Sequence, residues 1–169
     1  MKMDLNPKSY TLQSYNEYIY GSAEVVGLMC LKIFVNGDVD EYERLKEGAQ
    51  ALGSAFQKVN FLRDLKSDYE DLGRIYFPGV NFSAFTSDDK NLIEADIQQD
   101  FDKAYQSIQQ LPKGARFGVY TAYRYYLSLF KKIKQTQASQ IKQARIRVPN
   151  EQKMVLLLKS ALRNSLGIL

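Results

Sequence analysis

The chain has 169 residues, of which 45% are hydrophobic and 25% charged, and this length is enough for one globular domain with a buried core. The net charge is only +4, and lysines and arginines alternate with acids, so the sequence does not predict nucleic-acid binding. Histidine is absent, which excludes Ser–His and Cys–His catalysis and histidine zinc sites.

The one cysteine, Cys30, has no partner for an intramolecular disulfide. This favours a cytoplasmic setting, and its apolar neighbours predict a small core residue.

Hydrophobic periodicity predicts five helices joined by short turns. The first extends from about Thr11 to Phe34 and the second from about Val39 to Tyr69, with Asp38 as its N-cap. A loop over residues 74–86 precedes three further helices, at about 87–110, 118–137 and 151–166. No strand-period alternation occurs, and no apolar run reaches the ~18 residues that span a bilayer. We therefore predict an all-α helical bundle that forms a single domain over residues 1–169.

A polar stripe borders the apolar face of the second predicted helix. At about 100° per residue, one sector of this helix contains Gly53, Gln57, Asn60, Asp64 and Asp68. Acids that face solvent would usually lie opposite the core, so the stripe predicts a polar cavity inside the bundle. Asp64 and Asp68 stand at i and i+4, which places their Cβ atoms about 6 Å apart. Two carboxylates with the nearby amide of Asn60 suit Mg²⁺, which prefers oxygen ligands and retains several waters.

Basic residues surround this pair and could neutralise a phosphate group; they are Lys58, Arg63, Lys66 and Arg74. The alternative is a chance spacing on a solvent-facing helix. Asp96 and Asp100 repeat the same spacing, and we expect that second pair to be exposed because no amide stripe continues it.

Three stretches of the chain carry a family resemblance. The run NFLRDLKSD over residues 60–68 is followed by RIYFP over residues 74–78. Together they resemble the second aspartate-rich motif of the squalene and phytoene synthase family. YIYGSAEVVGL over residues 18–28 and YRYY over residues 123–126 are similar to further segments of that family. Glu24 departs from the pattern, because the family usually has glycine there.

The resemblance implies a site residue by residue. Asp64 and Asp68 would be the catalytic carboxylates and, with Asn60, the Mg²⁺ ligands. Residues that contact the diphosphate or the metal would be Tyr18, Gln57, Arg63, Arg74 and Arg145. Residues that shape a tunnel for the prenyl tail would be Ala23, Val26, Gly27, Leu52 and Gly53, with Tyr126 close to the reacting carbons. For each tunnel residue, ordinary helix packing is the alternative.

The implied reaction joins two prenyl diphosphates head to head, through a cyclopropyl intermediate and with loss of both diphosphates. Geranylgeranyl or farnesyl diphosphate would be the substrate, and Mg²⁺ would neutralise the leaving group. The family's first aspartate-rich cluster has no counterpart before Tyr10, and MKMDL at the start resembles an interior segment. We therefore expect a C-terminal portion of such an enzyme, incomplete at its N-terminus, that does not complete the condensation alone.

A different class of function stays open at this point. The chain could be a non-catalytic helical module that self-associates through apolar surface left bare, as a homo-oligomer. Peripheral membrane contact is also compatible with a hydrocarbon product. Terpene cyclases and head-to-tail prenyltransferases also use acidic metal sites on helices, but the segment from Tyr18 to Gly27 argues against them.

Overall fold

The computed structural model of the chain describes residues 10–143 and 145–168, and within these ranges the regular structure is helical, with no β-strand. The predicted all-α architecture is confirmed. The start of the chain, residues 1–9, lies outside the described residues, and so does the MKMDL segment. In chain order the elements are α1 Leu12–Ile19, a π-helical segment Tyr20–Glu24, α2 Val25–Phe34, α3 Val39–Arg63, α4 Leu65–Leu72, α5 Ser87–Ile108, α6 Lys113–Gln135, α7 Ala138–Ile141 and α8 Asn150–Ser165.

The second predicted helix is interrupted at Asp64, so its prediction as one helix up to Tyr69 is wrong. Asp64 has φ −98° and ψ 8° and is both the C-cap of α3 and the N-cap of α4. The Ser67 hydroxyl donates to the Asp64 carbonyl over 3.0 Å, a local bond of the kind that competes with helical geometry. Backbone bonds continue across the break, since the amide of Asp68 donates to the Asp64 carbonyl over 2.9 Å.

Glycines allow the π-helical segment and α2, which continue one another, to pack backbone against backbone on α3. A Cβ atom on Gly53 would lie 2.6 Å from the carbonyl oxygen of Ala23, and one on Gly27 would lie 2.5 Å from that of Ala49. No larger residue fits either position without moving a helix. Position 23 thus faces position 53 and position 27 faces position 49, so the two helices run antiparallel.

An ion-pair network joins the opposite side of α3 to α5. The Lys58 Nζ atom lies 2.6 Å from Asp96 Oδ2 and 2.8 Å from Asp100 Oδ2, and the Ser54 hydroxyl donates to Asp100 over 2.7 Å. The prediction of an exposed Asp96–Asp100 pair is therefore wrong for Asp100, which is partly buried and anchors this network. Lys58, which we expected among the basic residues around Asp64, instead forms ion pairs with Asp96 and Asp100 of α5.

Apolar side chains stay exposed on α2 and α8. On α2 they are Val26, Met29, Ile33 and Phe34; on α8 they are Met154, Val155, Leu157, Leu158 and Leu162. Over residues 10–143 and 145–168, no helix combines the length and apolar character that crossing a bilayer requires.

Candidate active site

An apolar cavity of about 590 Å³ extends along α3 between α2, α5 and α6. The predicted tunnel residues Ala23, Val26, Gly27, Leu52 and Gly53 all line it, together with Gln57. The close contacts at Gly27 and Gly53 form the α2 wall. The expected polar cavity is thus wrong in character, because the lining is mainly apolar and Asn60, Asp64 and Asp68 are not part of it. Leucines, alanines and glycines supply most of the α3 wall. Gln57 is the only residue of the stripe with a polar side chain that lines the cavity.

The polar part of the site lies at the C-terminal end of α3, where two guanidinium groups meet the carboxylate of Asp64. Arg63 Nε donates to Asp64 Oδ1 over 2.9 Å. Arg145 Nε also lies 2.7 Å from Asp64 Oδ1, and Arg145 comes from the segment between α7 and α8. The structure therefore brings together two predicted diphosphate contacts and a predicted metal ligand.

Asp68 lies one turn beyond Asp64 in a partly buried position. Burial, and then the negative charge of Asp64, raise the pKa of Asp68 to about 6, while the charges of Arg74, Arg63 and Arg145 act in the opposite direction. The pKa of Asp68 is thus raised by partial burial first and by the charge of Asp64 second, and the three guanidinium groups offset this only in part. A divalent cation would relieve this repulsion.

Tyr126 joins the cavity to the polar part. Its ring stacks on Phe56, with centroids 3.8 Å apart and an interplanar angle of 15°. Its hydroxyl donates to Asn60 Oδ1 over 3.4 Å. Phe56 lines the cavity, so these two rings stand at the junction between the apolar cavity and the polar part of the site.

Tyr18 lies in an aromatic cluster beside the polar part and is not in the cavity lining. Its ring centroid is 5.8 Å from that of Phe61 and 5.2 Å from that of Tyr76. Arg74 connects this cluster to the acids, because its Nη1 donates to the Tyr76 hydroxyl over 3.4 Å and its backbone amide donates to the Asp68 carbonyl over 2.8 Å.

Comparison with known proteins identifies the family of the chain. Residues 1–152 match the family model described as squalene/phytoene synthase. The chain belongs to the squalene/phytoene synthase family. It is 29% identical over 187 residues to a phytoene synthase of Arthrospira platensis, an alignment that covers 96% of this chain and 60% of that protein. It is 38% identical over 85 residues to a 4,4'-diapophytoene synthase of Staphylococcus haemolyticus, covering 50% of this chain and 28% of that protein.

A solved structure supports the fold. The complex of TcSQS with the ligand BPH1237 is similar with a TM-score of 0.62 at 17% identity, covering 96% of this chain and 53% of that chain. The chain thus spans little more than half the length of this structure and 60% of the Arthrospira phytoene synthase.

The oxygen donors of this squalene/phytoene synthase family member fit Mg²⁺. Within the described ranges, no three His, Cys, Asp or Glu side chains converge on a point. Two carboxylates and the Asn60 amide would be a compatible donor set, because Mg²⁺ usually takes one or two carboxylates and fills its remaining positions with water and substrate phosphate.

Sequence reasoning missed the α6 wall of the cavity and misjudged Cys30. Gly114, Gly118 and Ala122 line the cavity from α6, and their recurrence every four residues was a signal that could have identified this face. Cys30 also lines the cavity and is exposed, so its prediction as a core residue is wrong. The α2 face that carries it is one of those left uncovered.

Proposed function

We propose that this chain provides a prenyl diphosphate site for head-to-head prenyl transfer of the phytoene or squalene synthase type. One observation carries the proposal: an apolar cavity along α3 reaches Gln57, and Asn60, Asp64 and Asp68 follow at the end of α3 and in the first turn of α4. A prenyl diphosphate has the same order of parts, with a long apolar tail and a highly charged head.

At the polar end, Asp64, Asp68 and Asn60 would hold Mg²⁺. Bound Mg²⁺ would supply positive charge that stabilises the diphosphate as it leaves. Arg63 and Arg145 already donate to a carboxylate and can donate in the same way to diphosphate oxygens. In this proposal Arg74 and Tyr18 support the head group from the aromatic side, and Gln57 marks the junction with the tail.

At the apolar end, the cavity would orient the tail and keep water from the allylic carbons. Ala23, Val26 and Leu52 contribute only hydrocarbon side chains to the walls, and Gly27 and Gly53 contribute none, so this part of the lining offers no nucleophile to a carbocation. The stacked rings of Tyr126 and Phe56 present π-systems at the level of the reacting carbons, and such faces attract cations.

The proposed substrates are farnesyl or geranylgeranyl diphosphate, in a cytoplasmic setting with peripheral contact to a membrane that accepts the hydrocarbon product. We propose that the 169-residue chain binds one such molecule but does not join two, because the described residues supply a single pair of acids at the cavity mouth.

Isothermal calorimetry with a non-ionisable farnesyl thiolodiphosphate tests this function. The chain is expected to bind the analogue only with Mg²⁺ present, and Asp64→Ala should weaken binding at least tenfold. Asp96→Ala is the matched control, since it removes an acid of the same spacing on α5 and leaves Lys58 paired with Asp100. Binding that is independent of Mg²⁺, or equal losses in both variants, would contradict the proposal.

The second candidate is a self-associating helical module, and the exposed faces of α2 and α8 favour it. On α8, the side chains of Leu158 and Leu162 lie one turn apart and are 62% and 61% exposed, so they form part of a continuous apolar surface. Absence of analogue binding together with concentration-dependent association would support this candidate over the transferase site.

A further inference from the structure

Arg145 reaches Asp64 from the stretch between α7 and α8, and the arginine itself lies outside any helix. Helical hydrogen bonds therefore do not fix its backbone. Burial does not fix its side chain either, because 49% of that side chain is exposed. A long side chain loses rotamer entropy when it is held in one place, so other contacts are needed to keep the guanidinium group at the carboxylate.

Two lysines from neighbouring helices bind the backbone on either side of Arg145. The ammonium group of Lys66, on α4, donates to the Gln143 carbonyl over 3.1 Å, two positions before the arginine. The ammonium group of Lys132, on α6, donates to the Arg147 carbonyl over 2.9 Å, two positions after it. Hydrogen bonds from a charged donor are stronger than those between neutral groups. The backbone around Arg145 is therefore attached at two points to helices of the bundle.

A third lysine joins the same stretch to α4 through two aromatic rings. Lys142 Nζ lies 5.7 Å from the centre of the Phe82 ring and donates to the Phe82 carbonyl over 3.4 Å. The Phe82 ring stacks on that of Tyr69, with centroids 4.1 Å apart and an interplanar angle of 15°. Tyr69 directly follows Asp68 on α4. The helix that carries Asp68 is thus connected to the stretch that carries Arg145.

We propose that Lys66 and Lys132 are positioning residues, which hold Arg145 so that its guanidinium group stays at Asp64. The inference rests on the proposed function in one respect, since that function gives Arg145 the diphosphate as its ligand. The side chain of Lys66 is 38% exposed and Lys132 is exposed as well, so replacing either one leaves the core intact.

Lys66 has a different role in this proposal from the one that the sequence suggested. It was expected to neutralise a phosphate group directly. Its ammonium group instead lies 3.1 Å from the Gln143 carbonyl oxygen and 3.7 Å from the carboxylate of Glu70. The two roles differ in what happens without Arg145: a positioning residue then has nothing to position, whereas a direct contact keeps its full effect.

NMR of the free chain tests the positioning without any ligand. The measured quantity is the rate at which the Arg145 Nε–H proton exchanges with water, and its signal is the one that Arg145→Gln removes. Lys66→Met and Lys132→Met should each raise this rate by about fivefold or more, because methionine keeps an apolar chain of similar length and removes a charged donor.

Two controls accompany this measurement. The Nε–H proton of Arg63 donates to the same carboxylate and should change less than about twofold in both variants. Lys131→Met removes the same charge from the adjacent exposed position of α6 and should alter neither rate. Unchanged exchange at Arg145 in both lysine variants, or an equal increase in all three, would overturn the inference.

Calorimetry with inorganic diphosphate and Mg²⁺ separates positioning from direct contact. Lys66→Met and Lys132→Met should each weaken diphosphate binding about threefold or more in the original chain, but less than about twofold when Arg145→Gln is already present. Equal losses in both backgrounds would show that the lysine contacts the ligand itself, and no loss in either would deny it a role in binding; both results would overturn the inference. If the original chain does not bind diphosphate, the proposed function fails, and the exchange rates still decide whether the lysines hold Arg145.

Discussion

The carboxylate of Asp64 accepts from two arginines that lie 1 and 81 positions away in the sequence. Without a divalent cation, the guanidinium groups of Arg63 and Arg145 neutralise the carboxylate of Asp64, to which both donate. In the proposed function, the same donors would turn to phosphate oxygens when a diphosphate and a metal ion bind.

Arg145→Gln should weaken the binding of inorganic diphosphate, with Mg²⁺ present, by about tenfold or more. The reason is the loss of one charge-assisted hydrogen bond, worth about 1.5–3 kcal/mol. Arg147→Gln serves as the control, because it removes the same charge from an exposed position two residues away. Calorimetry distinguishes them, and an Arg145→Gln affinity equal to or tighter than that of the original chain would contradict the assigned role.

Glu24→Gln should raise the thermal stability at pH 7 but not at pH 4. Burial and then the charge of Asp100 raise the pKa of Glu24, although Gln50 donates to it and Lys58 attracts it. The folded state therefore binds the proton more tightly than the unfolded state, and stability falls as the pH rises through the folded pKa. Glutamine does not ionise, so the variant does not lose stability in this way as the pH rises. Melting curves at both pH values measure it, and a gain of equal size at pH 4 would point to a packing effect instead.

The spacing in the sequence predicted that Asn60, Asp64 and Asp68 share a side of the chain, since helical geometry is local. It did not predict the break at Asp64, which involves the Ser67 hydroxyl, or the partners of Lys58, which belong to α5. The contact between Arg145 and Asp64 joins distant positions, so periodicity carries no information about it. Only the family resemblance suggested that Arg145 belongs to the site.

At the level of elements, the contact between α2 and α3 forms one wall of the cavity. Glycines at positions 27 and 53 bring the backbones together, and the small side chains beside them leave room for a ligand. The two helices were predictable from the sequence. The short distance between their backbones was not, because it depends on which residues meet across the interface.

Gly53→Ala should lower the free energy of unfolding by about 2 kcal/mol, because its Cβ atom would collide with the Ala23 carbonyl and force the helices apart. Gly118→Ala is the control, since no neighbouring atom lies within 4 Å of the new Cβ and α6 should gain about 0.5–1 kcal/mol from the better helix former. Urea denaturation measures both values. Similar effects of the two substitutions would show that the backbone contact is not what fixes this wall.

At the level of the whole molecule, the bundle leaves two apolar faces uncovered, on α2 and α8. Several neighbouring exposed apolar residues are typical of an interaction surface, and we propose that these two faces bind another protein surface. In solution at high concentration, the available partner is a second copy of the same chain.

Sedimentation velocity should therefore show association that increases with concentration, and Leu158→Glu should reduce it by placing a charge in the contact. Leu92→Glu is the matched control on α5, where Leu92 is 73% exposed. A chain that stays monomeric up to high concentration would show that these faces do not drive self-association.

The position of the divalent ion tests the account most directly. Crystals grown with Mn²⁺ and a prenyl thiolodiphosphate should show anomalous density bound by the carboxylates of Asp64 and Asp68, with the tail in the cavity between α2, α3 and α6. Manganese density elsewhere, or an ordered ligand with its diphosphate away from both aspartates, would contradict the proposed site.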